Sequence, residues 1–321
     1  MNPVETHIGV DVGKDKLDVC LPDGHKYITR NTKAGIRKII KDATRARAIV
    51  SFEATGAYGN KLYDACIEAG VKAMQLDPWR ARNFAKSQGL LEKTDSIDCE
   101  MIRDFAASLK PEKRHFIQPR SEAQRALRAD VRVRENLMKA AALINAQLVY
   151  IEDAKSRKSL ERVIARIEKE IDKTEERADA VIENDERMRE LSSRFREVSG
   201  VGPCVTRIIL SDVPEIGTLS SKGIAKLLGL APLDHKSCTV EKKSRTQRGR
   251  GRARSVVYEA TMNAARHNHI WREQYDALVA RGKPKPVAHT AIARKMVILL
   301  NNIAKYPDFK IRVQTPDAQT K

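Results

Sequence analysis

Ile8-Gly9-Val10-Asp11-Val12-Gly13 is an apolar run with a single acid in its middle, and its reading decides the fold. A carboxylate carried into a hydrophobic strand is costly unless something pairs with it. The chain turns at Gly13-Lys14-Asp15-Lys16 and returns as Leu17-Asp18-Val19-Cys20-Leu21, so the two runs read as a hairpin. Three further acids arrive at intervals that let them converge on Asp11. Glu53 ends a second apolar strand, and Asp95 and Asp98 open a helix. Four carboxylates with no cationic partner in their own motifs suit hard divalent cations.

Outward from that hairpin, a third strand runs from His25 to Arg30, after the turn Pro22-Asp23-Gly24. A helix follows over about Lys33 to Thr44, with Ile36, Ile39 and Ile40 on one face. Then come a strand from Ala48 to Glu53, a helix from Asn60 to Ala69 stopped by Gly70, and a strand from Val71 to Leu76. Helix resumes at Trp79 to Lys86 and at Asp95 to Leu109. The order βββ-α-β-α-β-α predicts a mixed sheet flanked by helices, the order of the RNase H-like fold. In that fold acids sit on the central first strand, at the end of the strand after the first helix, and on a late helix; Asp11, Glu53 and the Asp95/Asp98 pair match those places. The i, i+3 spacing puts Asp95 and Asp98 on one helix face. For Asp95 taken alone, a simple helix cap is an equal reading.

The 321 residues suffice for two or three domains, and a net charge of +18 points to a polyanionic partner. The charge is uneven: residues 196–321 hold 23 Lys/Arg against 10 Asp/Glu. A basic C-terminal third reads as a nucleic-acid surface. The five cysteines are scattered with no CxxC pair, which argues against a zinc site or a disulfide framework and fits a reducing compartment. The opening Met1-Asn2-Pro3-Val4-Glu5 has neither a basic nor an apolar leader region, so no secretory signal is expected. The apolar stretch around Met296 to Leu300 is too short to span a bilayer. A cytoplasmic protein with no membrane partner is expected.

Residues 118–195 are long, charged and free of Gly and Pro after Pro119. Leu137, Ala141, Ile144, Leu148 and Ile151, then Leu160, Ile164, Ile167, Ile171, Thr174, Ala178 and Val181, form a heptad seam. Lys155 to Ser159 reads as a helical hairpin turn. A spacer packed on its own chain and a dimerising coiled coil both fit the seam.

In the last third, Val198-Ser199-Gly200-Val201-Gly202-Pro203 makes a tight turn between helices. Its backbone N–H groups at Gly200 and Gly202 suit a phosphate, as in a helix-hairpin-helix element, although a plain turn fits equally. After a helix near Ser221 to Leu228 come Gly229-Leu230-Ala231-Pro232 and a polar loop from Leu233 to Val240 that contains Ser237. Lys236 to Arg254 then carries eight Lys/Arg and one Glu. Lys242, Lys243, Arg245, Arg248, Arg250, Arg252 and Arg254 are the candidate phosphate contacts, with Gly letting backbone approach while arginine forks onto phosphates. Two helices, about Ser255 to His267 and Val287 to Lys305, are expected to finish the domain before a weakly ordered tail.

Glu53-Ala-Thr-Gly-Ala-Tyr58, Lys93-Thr-Asp-Ser-Ile-Asp98, Gly200-Val-Gly-Pro203 and Gly229-Leu-Ala-Pro232 followed by Ser237 resemble the DEDD insertion-sequence transposases, bridge-RNA-guided serine recombinases similar also to the Piv-type DNA invertases. The likeness runs in order from about residue 7 to 305. It implies α/β plus α architecture: a RuvC-like domain over 1–117, a coiled-coil insertion over 118–195, and a mainly helical transposase domain over 196–305, with a tail over 306–321. It further implies that Asp11, Glu53, Asp95 and Asp98 bind Mg²⁺, two ions per site, and that Ser237 is the nucleophile that joins DNA covalently. The implied partners are donor and target double-stranded DNA, a structured non-coding guide (bridge) RNA, and further copies of the chain, as a dimer through the coiled coil and a tetramer when active. Two positions depart from the family pattern: Cys99 stands where Ala is usual, and Cys238 where Gly is usual, which sets a second nucleophile beside Ser237. The competing readings are a metal-only nuclease or Holliday-junction resolvase, with water as nucleophile, and a non-catalytic nucleic-acid-binding protein.

Overall fold

The computed structural model describes residues 5–53, 58–89, 95–110, 116–117, 119–237, 240–246 and 249–311, and for 95–98 and 233–245 the backbone alone. Two compact units divide the chain, Met1–Pro119 and Arg120–Lys321.

In the first unit β1 (His7–Val12), β2 (Lys16–Cys20) and β3 (Lys26–Arg30) form an antiparallel meander. Helix α1 (Lys33–Ala46) then crosses to β4 (Ile49–Glu53), and α2 (Asn60–Glu68) crosses to β5 (Ala73–Leu76). The sheet order is β3-β2-β1-β4-β5, with β4 parallel to β1 and β5 parallel to β4. A first strand at the centre, between a meander and two crossover strands, is the RNase H-like α/β arrangement expected from the element order. Helices α3 (Pro78–Ser87) and α4 (Asp95–Ser108) complete the unit.

The two faces of β1 follow from its period of two. Ile8, Val10 and Val12 enter a core with Leu17, Val19, Val50, Phe52, Ile36, Ile39 and Leu62. On the opposite face Gly9 leaves the backbone bare, and α4 lies on it. A Cβ at Gly9 would stand 1.9 Å from the Cys99 carbonyl oxygen and 2.6 Å from the Arg103 amide nitrogen. Gly9→Ala therefore forces α4 off the sheet, at a cost on the order of 3 kcal/mol. Urea unfolding should show that loss in the midpoint, and a wild-type midpoint would mean that α4 moves freely on the strand.

The second unit opens with α5 (Glu122–Leu148) and α6 (Ala154–Asn184), paired as a hairpin. Ser121 and Gln124 close a reciprocal capping box at the start of α5. The turn between the helices spans 149–153, and Asp153 caps α6 by accepting from the Ser156 amide at 2.7 Å. Lys155 to Ser159, expected as the turn, are instead the first turns of α6, because the Asp153 cap sets the helix start earlier. Arg177 joins Asp130 at 3.1 Å, and Arg134 pairs with Glu175, so the seam is covered within the chain at this level.

Helices α7 (Glu186–Arg196), α8 (Pro203–Asp212) and α9 (Ser221–Leu227) follow, then strands β6 (Pro232–Ser237) and β7 (Val240–Thr246), then α10 (Gly251–His267), α11 (His269–Ala280) and α12 (Lys285–Lys305). Leu127 and Val131 of α5 and Ala178 and Ile182 of α6 share one core with Phe195, Ile209, Leu228, Val257, Met296 and Leu300. The base of the hairpin and the C-terminal helices are thus one body, across the expected boundary at 195/196.

Several local expectations change. In the polar loop expected from Leu233 to Val240, residues 233–237 and Val240 belong to an antiparallel strand pair, held by backbone pairing from Pro232↔Thr246 to Ser237↔Val240 and not by apolar alternation, while 238–239 lie outside the described residues. α10 begins at Gly251, so Arg252 and Arg254 are helical. α11 is an additional helix, started by Asn268, whose side chain accepts from the Ile270 and Trp271 amides at 3.0 and 3.2 Å. At the end of the chain Arg194 donates to the carbonyls of Ile303, Tyr306 and Phe309, and Phe309 and Ile311 pack on the core, so 306–311 are held in place. Residues 312–321 lie outside the described residues. Among the described residues no helix is long and apolar enough to cross a membrane.

Candidate active site

Strand register brings the first two predicted acids together. Val10 of β1 and Phe52 of β4 are parallel partners and fully buried. Asp11 and Glu53 are the next residues on each strand, so both project to the other face, at the carboxyl ends of neighbouring strands. That is the face on which Gly9 receives α4.

The direction of α4 is set by contacts along its middle. Lys26 Nζ donates to Glu100 Oε2 at 2.5 Å, and Arg103 Nη1 donates to the Leu21 carbonyl at 3.3 Å. Leu21 follows Cys20, the partner of Gly9, and so lies toward the amino end of β1. Going back along α4 from Arg103 through Cys99 to its start at Asp95 therefore leads toward the carboxyl end of β1, where Asp11 and Glu53 stand. The side chains of Asp95 and Asp98 lie outside the described residues.

Asp18 is an acid that the sequence reading did not assign. It is the direct cross-strand partner of Asp11, buried at 4% exposure, and Lys16 Nζ lies 3.2 Å from its carboxylate. Like charges directly opposite on a sheet repel, and Lys16 offsets the charge of Asp18. A signal for it exists in the turn: Gly13 N–H donates to the Lys16 carbonyl at 2.9 Å, and counting outward from that closure pairs 12 with 17 and 11 with 18.

The donor set here is carboxylate oxygen, the chemistry of hard divalent cations. Among the described residues no three His, Cys, Asp or Glu side chains form a metal-holding group; Asp11 and Glu53 have the oxygen-donor chemistry that such a cation takes. Burial pushes the Cys99 thiol up to about 12 and raises that of Cys20, so both are protonated at neutral pH.

In the second unit Ser237 ends β6 and pairs with Val240 at the closed end of the hairpin. Cys238 and Arg248 lie outside the described residues, and for Lys242, Lys243 and Arg245 only the place on β7 is described. At the root of the hairpin an open cavity of about 270 Å³ is lined by Thr246, Arg254, Ser255, Tyr258 and Thr290 among others.

Part of the Arg-Gly-Arg segment is engaged within the unit. Gly249, at φ +77°, packs on the Gly229 turn, and a Cβ there would meet the Gly229 amide nitrogen at 2.3 Å. The glycine admits the chain's own backbone. Arg250 forks onto Glu215 at 2.5 and 2.6 Å, and Arg252 onto Asp212 at 2.6 and 2.5 Å with Glu135 at 3.0 Å. Both guanidiniums are held by carboxylates inside the unit, which anchors the foot of the β6–β7 hairpin to α5 and α8.

Gly200, at φ +90°, is likewise packed: a Cβ would meet the Ala264 Cβ at 2.7 Å, so only glycine fits against α10. Gly202 starts α8 with open space beside it and no side-chain cap. Gly200 is therefore a packing residue.

Comparison with known proteins gives two family matches. Residues 8–149 match a model described as a transposase of the DEDD IS110 type, and residues 192–276 match one described as a transposase of the IS116/IS110/IS902 family. Pilin gene-inverting proteins of Moraxella lacunata and Moraxella bovis are 26% and 25% identical over 159 residues, 46% of this chain. The chain spans about half the length of these curated relatives, 48% in each case. A solved structure of T. thermophilus RuvC in complex with a Holliday junction substrate aligns with 32% of this chain and 92% of its own, at 15% identity and a TM-score of 0.24.

Proposed function

The chain belongs to the IS116/IS110/IS902 transposase family, and from that premise we propose that it is a DNA recombinase that cuts and rejoins strands through Ser237, aided by divalent ions on Asp11, Glu53, Asp95 and Asp98. The observation that carries this reading is the adjacency of Asp11 and Glu53 at the strand ends toward which the start of α4 leads.

Attack of Ser237 Oγ on a backbone phosphorus forms a serine–phosphate ester and releases a sugar hydroxyl, while the serine proton passes to a base or water. Attack on that ester by the hydroxyl of an exchanged strand frees the serine and seals a new junction. Phosphodiester bonds are conserved, so no ATP is needed. A serine hydroxyl is a weak nucleophile at neutral pH; Mg²⁺, when bound by the acids, supplies electrostatic stabilisation to the attacking and leaving oxygens. Lys242, Lys243, Arg245, Arg248 and Arg254 flank the nucleophile in sequence and serve as phosphate contacts. Arg250 and Arg252, also candidates for phosphate contact, are ion-paired with Glu215 and Asp212.

A structured RNA is assigned as the guide, in line with the strongly basic C-terminal third of the chain. Full-length protein, donor and target plasmids, and RNA transcribed from the non-coding segment beside the gene should yield recombinant junctions, read by sequencing. Equal junction yield without RNA would remove the guide from the reading.

Self-association is assigned to the far end of the α5–α6 hairpin, where Leu143, Val149 and Tyr150 are 65%, 79% and 78% exposed. Leu143→Glu with Tyr150→Glu should convert a dimer to a monomer in light scattering while leaving the intrachain seam intact. An unchanged mass would place the assembly contact elsewhere.

A further inference from the structure

Arg128 is a partly buried cation of the second unit. It lies on α5 and is half-buried, its Nε is shielded from solvent, and it makes no hydrogen bond or ion pair with any described residue. A buried charged donor without an acceptor is costly, and native proteins keep such groups where something else will satisfy them. Arg132 follows one turn later on the same face, also without an acid among the described residues.

The acids nearby are already engaged. Asp212 accepts from both ends of the Arg252 fork. Glu135 accepts from Arg252 at 3.0 Å and Lys139 at 2.7 Å, and Asp130 is joined to Arg177. Arg120, Arg132 and Arg252 all act electrostatically on Arg128, and so does Asp212. Burial above all, with the like charges of Arg120, Arg132 and Arg252 and against the pull of Asp212, lowers the Arg128 guanidinium to about 10.

We propose that Arg128 and Arg132 form a phosphate-binding site at the base of the α5–α6 hairpin that takes a nucleic-acid backbone. This site is separate from the basic run around β7 and rests on the reading that the protein handles nucleic acid. Two guanidiniums a turn apart, about 6 Å between Cβ atoms, can fork onto one phosphate or two successive ones. Binding supplies the acceptor that the fold withholds.

The test is fluorescence anisotropy on the full chain from 50 to 300 mM KCl, with a 30-base-pair DNA duplex and a stable RNA hairpin as separate probes. Arg128→Gln with Arg132→Gln should weaken binding about tenfold to a hundredfold at 0.15 M salt and lower the log–log salt slope by roughly 1.8 on duplex. The probe that loses the slope identifies which backbone the site holds. Arg128→Lys with Arg132→Lys keeps the charges and should keep most of the slope. The free glutamine variant should melt at or above the wild-type temperature, because an uncompensated cation has been removed. A wild-type slope on both probes overturns the site, and so does a lysine variant that loses as much slope as the glutamine one, which would mark fold damage. Wild-type protein that binds neither probe would instead overturn the nucleic-acid reading beneath it.

Discussion

Ser237→Ala is expected to abolish the covalent protein–DNA adduct altogether, and recombination with it. The residue ends β6 at the closed end of a two-stranded hairpin, and the foot of that hairpin is fastened by Arg250 on Glu215 and Arg252 on Asp212. A nucleophile must reach its phosphorus in a defined geometry, and the anchored foot of the hairpin suits the role proposed for Ser237. The buried thiols are no rivals: burial pushes Cys66 and Cys99 up to about 12 and raises Cys20, so none is a thiolate at neutral pH. The trap is a suicide DNA substrate followed by denaturing electrophoresis. The adduct should be absent in Ser237→Ala and present in Cys238→Ser and Ser244→Ala. An adduct that persists in Ser237→Ala moves the chemistry to a neighbour, and cleavage by wild type with no adduct leaves a metal-only nuclease.

Asp11→Asn should lower Mg²⁺-dependent cleavage by at least about a thousandfold, the equivalent of ~4 kcal/mol of transition-state stabilisation. The change is isosteric and removes one anionic oxygen donor from the strand that centres the sheet. A second readout separates metal loss from chemical loss. Mg²⁺ that binds only the folded state raises its stability by about 2.7 kcal/mol at a hundred times Kd, so a melting curve of the wild type should shift upward with Mg²⁺ and that of Asp11→Asn should not. A variant that keeps both the cleavage rate and the Mg²⁺ shift would take Asp11 out of the site. Glu53→Gln should behave in the same way, because register puts it beside Asp11 on the same face.

The order of elements in the first unit, the faces of β1 and the place of Asp11 and Glu53 were all legible in the chain. Each depends on short-range rules: a period of two along a strand, glycine and proline at turns, and the crossover that a parallel strand pair demands. Asp18 was legible in principle from the turn closure at Gly13 and Lys16, but only once the register was counted. The strand pair around Ser237 was not legible. β6 and β7 are polar and lack apolar alternation, and pairing across the two strands, not a local pattern, makes them strands.

What the sequence by itself determined is the scaffold and its acids, because hydrophobic periodicity acts over neighbouring residues. What only the tertiary structure decided is the fate of the arginines. Residues of one type in one basic run divide into two classes when Arg250 meets Glu215 and Arg252 meets Asp212 and Glu135, acids 35, 40 and 117 positions away. Arg128, whose surroundings in the sequence are unremarkable, is left without an acid because folding brings like charge to it and gives the nearby carboxylates to others. A guanidinium takes whichever carboxylate packing delivers, and that assignment depends on contacts across the fold, which local sequence does not encode.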